Sequence, residues 1–173
     1  SSADEPLRFV VGLFWQQQSH DIQQRYKVDN LASDLSVTGW EDTIWLTKQV
    51  RQDHDEALFG EVSYDFTEQF TATVGVRSFK ADNSLAGFFG FSRGYSSQTS
   101  RPPAARYGEA GCAVRYGDDA ANWEDFHGAP CEQFSKSTEE SDWLGRINLS
   151  YQFDPEHMLY FTWSEGYRPA GLN

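Results

Sequence analysis

The chain has 173 residues, of which 39% are hydrophobic and 16% are Phe, Trp or Tyr, and its formal net charge is −12. The charge argues against a nucleic-acid partner, because that kind of binding depends on Lys and Arg neutralising phosphates. No stretch approaches the roughly 18 consecutive apolar residues of a membrane-spanning helix, which excludes a helical membrane protein.

Alternation of apolar and polar side chains with period two runs through the sequence, and helical periodicity is absent. The alternating segments cover, in chain order, about residues 8–16, 57–66, 70–77, 143–153 and 158–165. The fourth is the clearest, since one face is apolar or Gly throughout and only Leu144 interrupts the polar face. Because successive side chains of a strand point to opposite faces, this pattern predicts five β-strands of about ten residues.

The connections between these segments alternate strictly between short and long. Residues 67–69 and 154–157 form short turns, and the second contains an Asp-Pro pair, which starts a turn and cannot continue a strand. The other two connections are long, about residues 19–53 and 81–140. Tight turns at one end and large loops at the other are typical of an outer-membrane β-barrel with periplasmic turns and extracellular loops. A soluble β-sandwich has less reason for that asymmetry.

Aromatic side chains on the apolar face collect at both ends of the predicted strands. Trp15 and Trp143 lie towards the loop end, as does Trp163, and other rings lie beside the short turns. Two aromatic girdles around an aliphatic band suit a lipid-facing barrel wall, because aromatic rings prefer the membrane interface. The opposite face would line a wet lumen, and the residues expected there include Glu61, Arg77, Arg146 and Asn148.

These patterns predict an all-β fold, namely an antiparallel transmembrane β-barrel segment of about five strands. A sheet in lipid must close so that no edge is unpaired, and bacterial barrels have about eight strands or more. We therefore expect residues 1–173 to be a partial barrel domain within a larger barrel. The start at Ser1, without an initiator Met or a signal sequence, agrees with a fragment or a processed product. Such a piece alone is expected to aggregate, without transporting or stably binding a ligand.

Two cysteines, Cys112 and Cys131, lie in the second long connection with 18 residues between them. In an oxidising compartment they are expected to form a disulfide within one loop, and two free thiols remain the alternative. A zinc site has less support, since His127 is nearby but a Cys-x-x-Cys pair and a second clustered His are lacking. No nucleophile-elbow motif or metal-ligand spacing indicates an enzyme, and adjacent Glu124 and Asp125 suit solvated loop charge. No cofactor is predicted.

The C-terminal segment, residues 160–173, reads YFTWSEGYRPAGLN. It resembles the barrel signature of TonB-dependent receptors, in which an aromatic-rich strand runs into Ser-x-Gly-aromatic-basic-x-Gly-Gly-x-Asn, with Ala170 where the family often has Gly. Residues 58–66 and 70–77 are similar to the family's strand before a periplasmic turn and the strand after it. Ser78 stands where the family usually has an aromatic residue. The resemblance covers nearly the whole chain.

The resemblance implies a receptor in the outer membrane of a Gram-negative bacterium and not an enzyme. Such a receptor imports a large, scarce nutrient by energy-coupled transport, for example a ferric siderophore, a cobalamin or an oligosaccharide. The implied partners are the outer-membrane lipid, a small-molecule ligand, the plug domain of the same receptor and, through it, the TonB energy-transducing complex. The plug domain, which lies N-terminal to the barrel in this family, has no counterpart in these 173 residues.

The second long connection carries the candidate ligand-binding residues. Arginines and aromatic rings there could contact an anionic aromatic ligand such as a ferric siderophore, or stack on sugar rings, although a solvated loop with incidental aromatics is also open. A passive porin or structural barrel and a secreted β-sandwich binding module are the alternatives in function, and the loop's length favours a receptor. The candidates are Arg93, Tyr95, Arg101, Arg106, Tyr107, Arg115, Tyr116 and Trp123.

Overall fold

A single antiparallel sheet dominates the computed structural model, which describes residues 5–95 and 106–168. Its elements are β1 (Leu7–Lys27), β2 (Thr43–Asp65), β3 (Phe70–Phe91), α1 (Glu109–Tyr116), a 3₁₀ helix (Ala120–Asn122), β4 (Phe134–Asp154) and β5 (His157–Ser164). The strands lie side by side in chain order, so β1 and β5 are the edges of an open five-stranded sheet. The predicted all-β fold class is confirmed, and the open sheet fits part of a larger barrel.

No helix in the described ranges is both long enough and apolar enough to span a membrane.

The register of the sheet separates an apolar face from a polar face, as the alternation predicts. One cross-strand row on the apolar face joins all five strands, and each of its members is at least 40% exposed. A continuous exposed apolar surface of this kind is typical of the lipid-facing wall of an outer-membrane barrel. We name this side the outer face and the opposite side the inner face. The row consists of Phe9, Val62, Val74, Ile147 and Trp163.

Polar side chains bridge the strands on the inner face. The hydroxyl groups of Ser63 and Thr73 lie 2.8 Å apart between β2 and β3. Thr73 is paired in turn with Asn148 of β4, whose side-chain amide donates to the hydroxyl of Thr162 in β5 at 2.6 Å. Hydrogen bonds of this kind satisfy polar groups that would otherwise require water on a barrel wall.

The first four strands are longer than the sequence predicted. They contain 21 to 23 residues each, and the two long connections shrink to residues 28–42 and 92–133. A tilted strand needs only about 9–11 residues to cross a bilayer, so about ten residues of each strand continue beyond the membrane on the loop side. The predicted limits at residues 19–53 and 81–140 were wrong because polar residues interrupt both faces of the strands beyond the membrane, as at residues 51–56 and 80–84. Alternation disappears although the backbone pairing continues.

The two long connections fold together against the outer face, where the strands end. Leu46 of β2 and Phe88 of β3 are fully buried beneath them, beside a disulfide between Cys112 and Cys131 with a Cα–Cα distance of 5.9 Å. The predicted disulfide is therefore present. We name this buried group the disulfide core. It comprises Val37, Leu46, Phe88, Cys112, Ala129 and Cys131, with Trp40, Tyr116, Trp123 and Phe126 packed around it.

A smaller apolar cluster lies on the inner face. Phe79 and Ala81 of β3 and Ala57 of β2 are buried there, with Leu144 and Tyr167 packed against them. This contact explains why Leu144 interrupts the polar face of β4. Within the described ranges the strands form one sheet rather than two packed layers, which does not support the alternative of a β-sandwich module.

Candidate functional site

A cluster of aromatic rings lies on the inner face at the loop end of β2 and β3. Trp45 of β2 meets Phe91 of β3 edge to face, with ring centroids 4.8 Å apart. Phe89 stacks against Tyr107 at 6.0 Å and contacts Phe134 of β4 at 5.6 Å. We name this group the rim cluster, and it comprises Trp45, Phe89, Phe91, Tyr95, Tyr107 and Phe134.

Strand geometry places these rings on the inner face. Trp45 lies an even number of residues from Glu61 along β2, and Phe89 and Phe91 lie an even number from Arg77 along β3. Residues separated by an even number of positions in a strand point to the same side of the sheet. The rim cluster therefore shares its face with the residues that the sequence assigned to the lumen.

Tyr107 reaches the rim cluster from the loop because the next residue is held against β3. The backbone N–H of Gly108 donates to the carbonyl of Phe89 at 2.8 Å, and the Gln133 amide oxygen accepts from the N–H groups of Phe89 and Gly108 at 3.3 and 3.2 Å. A Cβ atom on Gly90 would lie 2.6 Å from the Cα of Gly108, so this approach requires glycine at position 90.

Neutral hydrogen-bonding groups lie beside the rim cluster. The indole N–H of Trp45 donates to the hydroxyl of Thr47 at 3.0 Å, and on β1 the Gln24 amide donates to the hydroxyl of Tyr26 at 2.9 Å. Tyr26 and Gln24 are the strand partners of Trp45 and Thr47. The inner face thus offers aromatic rings for stacking next to amide and hydroxyl groups for hydrogen bonding.

Two of the predicted ligand-binding residues belong to the rim cluster. Tyr95 is 50% exposed and packs against Phe91 with ring centroids 4.8 Å apart, and Tyr107 contacts Trp45 at 5.9 Å. Arg106 directly precedes Tyr107, and its carbonyl accepts from the side-chain amide of Gln133 at 3.3 Å. That Tyr95, Arg106 and Tyr107 contact a ligand stays a prediction.

The other described candidates stabilise the loop around the disulfide core. Arg93 forms an ion pair with Asp118 and donates to its carbonyl at 2.6 Å, and Arg115 forms an ion pair with Glu132 at 2.9 Å. The contacts that hold Arg93 and Arg115 therefore come from carboxylates of the same loop. Arg101 lies outside the residues that the structure describes.

Tyr116 and Trp123 also contribute to this loop. The hydroxyl of Tyr116 donates to the carbonyl of Glu132 at 3.3 Å, and burial raises the pKa of Tyr116 above its ordinary value. The indole N–H of Trp123 donates to the carbonyl of Gly117 at 2.9 Å. Both rings pack around the disulfide core. Because the disulfide core lies against the outer face, these contacts support a packing role for both rings.

The four residues predicted to face the lumen share the inner face. Gly75 lies between Glu61 and Arg146 in one cross-strand row, and the two charged groups approach to 3.7 Å across it. The guanidinium of Arg77 lies 5.6 Å from the ring centroid of Phe14, a cation–π contact. Asn148 is in the hydrogen-bonded row described above. Their lining of a lumen remains a prediction.

The segment after β5 reaches the inner face at Tyr167. Its Glu165 carboxylate accepts from the backbone N–H of Gly145 at 2.7 Å, and the ring of Tyr167 packs against Phe79 with centroids 4.1 Å apart. The Tyr167 hydroxyl donates to Glu140 at 3.3 Å, and burial, together with the negative charge of Glu140, raises the pKa of Tyr167. The described part of the motif that carries the family resemblance, residues 160–168, therefore attaches the chain to the wall through Glu165 and Tyr167.

Sequence reasoning missed most of the rim cluster. Trp45, Phe89, Phe91 and Phe134 fell within the predicted long connections, so they were not considered as wall residues. The period-two placement of Phe89 and Phe91, two positions apart before a Gly-containing loop, is the signal that could have identified them. Among the described residues, no three His, Cys, Asp or Glu side chains are grouped so that they could hold a metal ion.

Comparison with known proteins supports the identification of the sheet. A family model described as TonB dependent receptor-like, beta-barrel, matches residues 2–173. The comparison with curated proteins and the comparison with solved structures gave no match. The family model therefore covers the sheet, the disulfide core and the rim cluster together.

Proposed function

We propose that this chain, which belongs to the TonB-dependent receptor β-barrel family, forms the outer-membrane wall and the ligand-contact surface of an energy-coupled importer. The family consists of outer-membrane transporters of Gram-negative bacteria. The cargo is a large, scarce nutrient such as a ferric siderophore, a cobalamin or an oligosaccharide. The plug domain and the TonB complex are the partners that the family implies.

The observation that carries this proposal is the position of the rim cluster. The strands continue about ten residues beyond the membrane, and the cluster lies at their far end on the inner face. A ligand that enters from outside the cell meets this surface before it reaches the membrane. Large aromatic side chains are also the residues that most often dominate binding energy.

A passive porin is the second candidate, and the inner face does not favour it. Porin function requires an open aqueous channel, whereas two pairs of opposite charges face each other on the inner face. Glu61 approaches Arg146 across Gly75, and Arg8 donates to Asp65 at 2.7 Å near the first turn. Family membership also favours a receptor, because TonB-dependent transport is what distinguishes the family from porins.

Removing two rings of the rim cluster is expected to weaken ligand capture without unfolding the barrel. In the full-length receptor, Trp45→Ala with Phe91→Ala should lower the apparent affinity for the imported ligand by about tenfold or more, since one ring contact contributes about 0.5–1.5 kcal/mol beyond area burial. The measurement is uptake by intact cells of labelled ferric siderophores, cyanocobalamin and oligosaccharides, tested separately.

The matched control is Trp15→Ala, which removes a ring from the outer face and should leave uptake affinity unchanged. Each assay is repeated in cells lacking the energy-coupling complex, where uptake should stop. Uptake that persists without energy coupling would support the porin instead. Unchanged affinity in the double variant would show that the rim cluster does not contact the ligand.

A further inference from the structure

Amide and hydroxyl groups lie directly beside the aromatic rings of the rim cluster. Two neighbouring cross-strand rows of the inner face show this arrangement, namely Tyr26, Trp45 and Phe91 and, one step towards the membrane, Gln24, Thr47 and Phe89. A ligand that lies flat on the rings of the first row therefore has an amide and a hydroxyl group of the second row next to its edge.

The third row also combines an amide with an aromatic ring. Gly87 of β3 is the strand partner of both Gln49 and Phe134. A Cβ atom at position 87 would lie 2.8 Å from the Cα of Gln49, so this position requires glycine and contributes no side chain to the row. The row therefore carries the Gln49 amide and the Phe134 ring without a side chain between them.

The charges of the loops around the rim cluster do not favour an anionic ligand. Residues 28–42 contain four acidic residues and no Lys or Arg, and residues 92–133 contain six acidic residues and four Arg. Two of these arginines, Arg93 and Arg115, form ion pairs with Asp118 and Glu132. The excess of carboxylates gives the loop end of the wall a negative potential, which repels an anion that approaches from outside the cell.

Basic side chains on the inner face near the cluster are engaged as well. Arg51 donates from Nε to both carboxylate oxygens of Asp53, at 3.0 and 2.9 Å. Arg106 and Lys136 are not free either. A carboxylate or phosphate of a ligand would have to compete for these groups, whereas a neutral ligand needs only the amides, the hydroxyl groups and the rings.

We propose that the rim cluster receives a neutral oligosaccharide, and not an anionic metal chelate, as the imported ligand. The inference rests on the proposed function and names the substrate class of its ligand-contact surface. A sugar ring has an apolar face of C–H groups and an edge of hydroxyl groups. Aromatic rings suit that face, and the amides of Gln24 and Gln49 suit the edge, because an amide both donates and accepts hydrogen bonds.

The test measures binding to the purified full-length receptor in a detergent without a sugar headgroup. An array of neutral and acidic glycans is probed with labelled receptor, and the neutral oligosaccharide that binds best is titrated by calorimetry beside a ferric tris-catecholate complex and cyanocobalamin. We expect that oligosaccharide to bind at least tenfold more tightly than either. Its affinity should not change between about 0.05 M and about 0.5 M NaCl, because salt screens interactions between charges.

Two double variants separate the inner face from the outer face. Gln24→Ala with Gln49→Ala removes two amides beside the rings and should lower the affinity for the oligosaccharide about tenfold. Gln23→Ala with Gln52→Ala removes two amides from the outer face of the same strands and should leave it unchanged. The heat-induced gel shift checks that each variant is folded. Gln24→Leu, which keeps the size of the side chain without its amide, should lower the affinity several-fold and serves if the first double variant does not fold.

Tighter binding of the ferric complex or of cyanocobalamin than of every neutral glycan would overturn the proposal, as would failure of all neutral glycans to bind. Equal loss of affinity in the inner-face and outer-face variants would overturn the role of the amides. Uptake of the bound ligand is then measured in cells with and without the energy-coupling complex. Energy-dependent uptake of a different ligand would leave the proposed function intact and reject only the oligosaccharide, so the two failures are distinguishable.

Discussion

Replacing Val74 by Lys in the full-length receptor is expected to destabilise the folded barrel by about 2–4 kcal/mol, the cost of a cation on the lipid face near the bilayer midplane. Val74 is 56% exposed and lies between Val62 and Ile147 in the apolar row of the outer face. The variant and wild type are refolded into lipid vesicles, and their free energies of unfolding are compared by urea titration.

Thr73→Lys is the control, because its side chain lies on the inner face one residue away. It removes the hydrogen bond to Ser63, formed at 2.8 Å, and should cost only about 1 kcal/mol. Circular dichroism confirms that both variants retain the sheet before unfolding. Equal destabilisation at positions 73 and 74 would mean that the outer face does not meet lipid.

The membrane-spanning part of the sheet was predictable because lipid imposes a strict pattern. Every second residue must be apolar where the wall contacts acyl chains, and the short turns between these segments carry turn-forming residues. Asp154 illustrates this, since its carboxylate accepts from the backbone N–H groups of Glu156 and His157 at 2.9 and 3.0 Å. Sequence therefore predicted the strands, their faces and both turns.

The extension beyond the membrane could not be predicted in the same way, because a strand with water on its outer side need not be apolar on either face. Gln52 and Ser84 are partners on the outer face in the extension, and Asp53 and Asn83 are partners on the inner face, so both faces carry polar side chains there. Backbone pairing continues there without an alternating pattern of apolar residues. The rim cluster was missed for this reason, since Trp45 and Phe91 belong to the extension.

The sequence also could not predict which charged side chains form ion pairs within the second long connection. Arg93 and Arg115 resemble free anion-binding groups when read in isolation, but they are paired with Asp118 and Glu132, which lie 25 and 17 residues further along the chain. Which acid meets which base depends on how the loop folds around its buried residues. The cysteine pair was the exception, because only one pairing of two cysteines exists.

Replacing both cysteines by Ala is expected to free the loop of residues 92–133 while leaving the membrane barrel folded. The disulfide joins two residues 19 positions apart, and it stabilises the segment between them by about 3 kcal/mol by restricting the unfolded chain. Both cysteines are fully buried, so Ala keeps an apolar side chain at each position of the disulfide core. Limited proteolysis of the full-length receptor should cleave this loop at least tenfold faster in Cys112→Ala/Cys131→Ala than in wild type.

Reduction of the wild-type disulfide separates the covalent bond from side-chain packing, and the reduced protein should be cleaved like the double variant. The heat-induced gel shift of the barrel is the control and should not change.

The loss of the disulfide should also affect the inner face, because Tyr107 precedes Cys112 by only five residues and depends on the contact of Gly108 with Phe89. A freed loop no longer holds Tyr107 against Phe89, so the affinity for the imported ligand should fall together with protease resistance. Faster cleavage with unchanged affinity would show that the disulfide core and the rim cluster act independently.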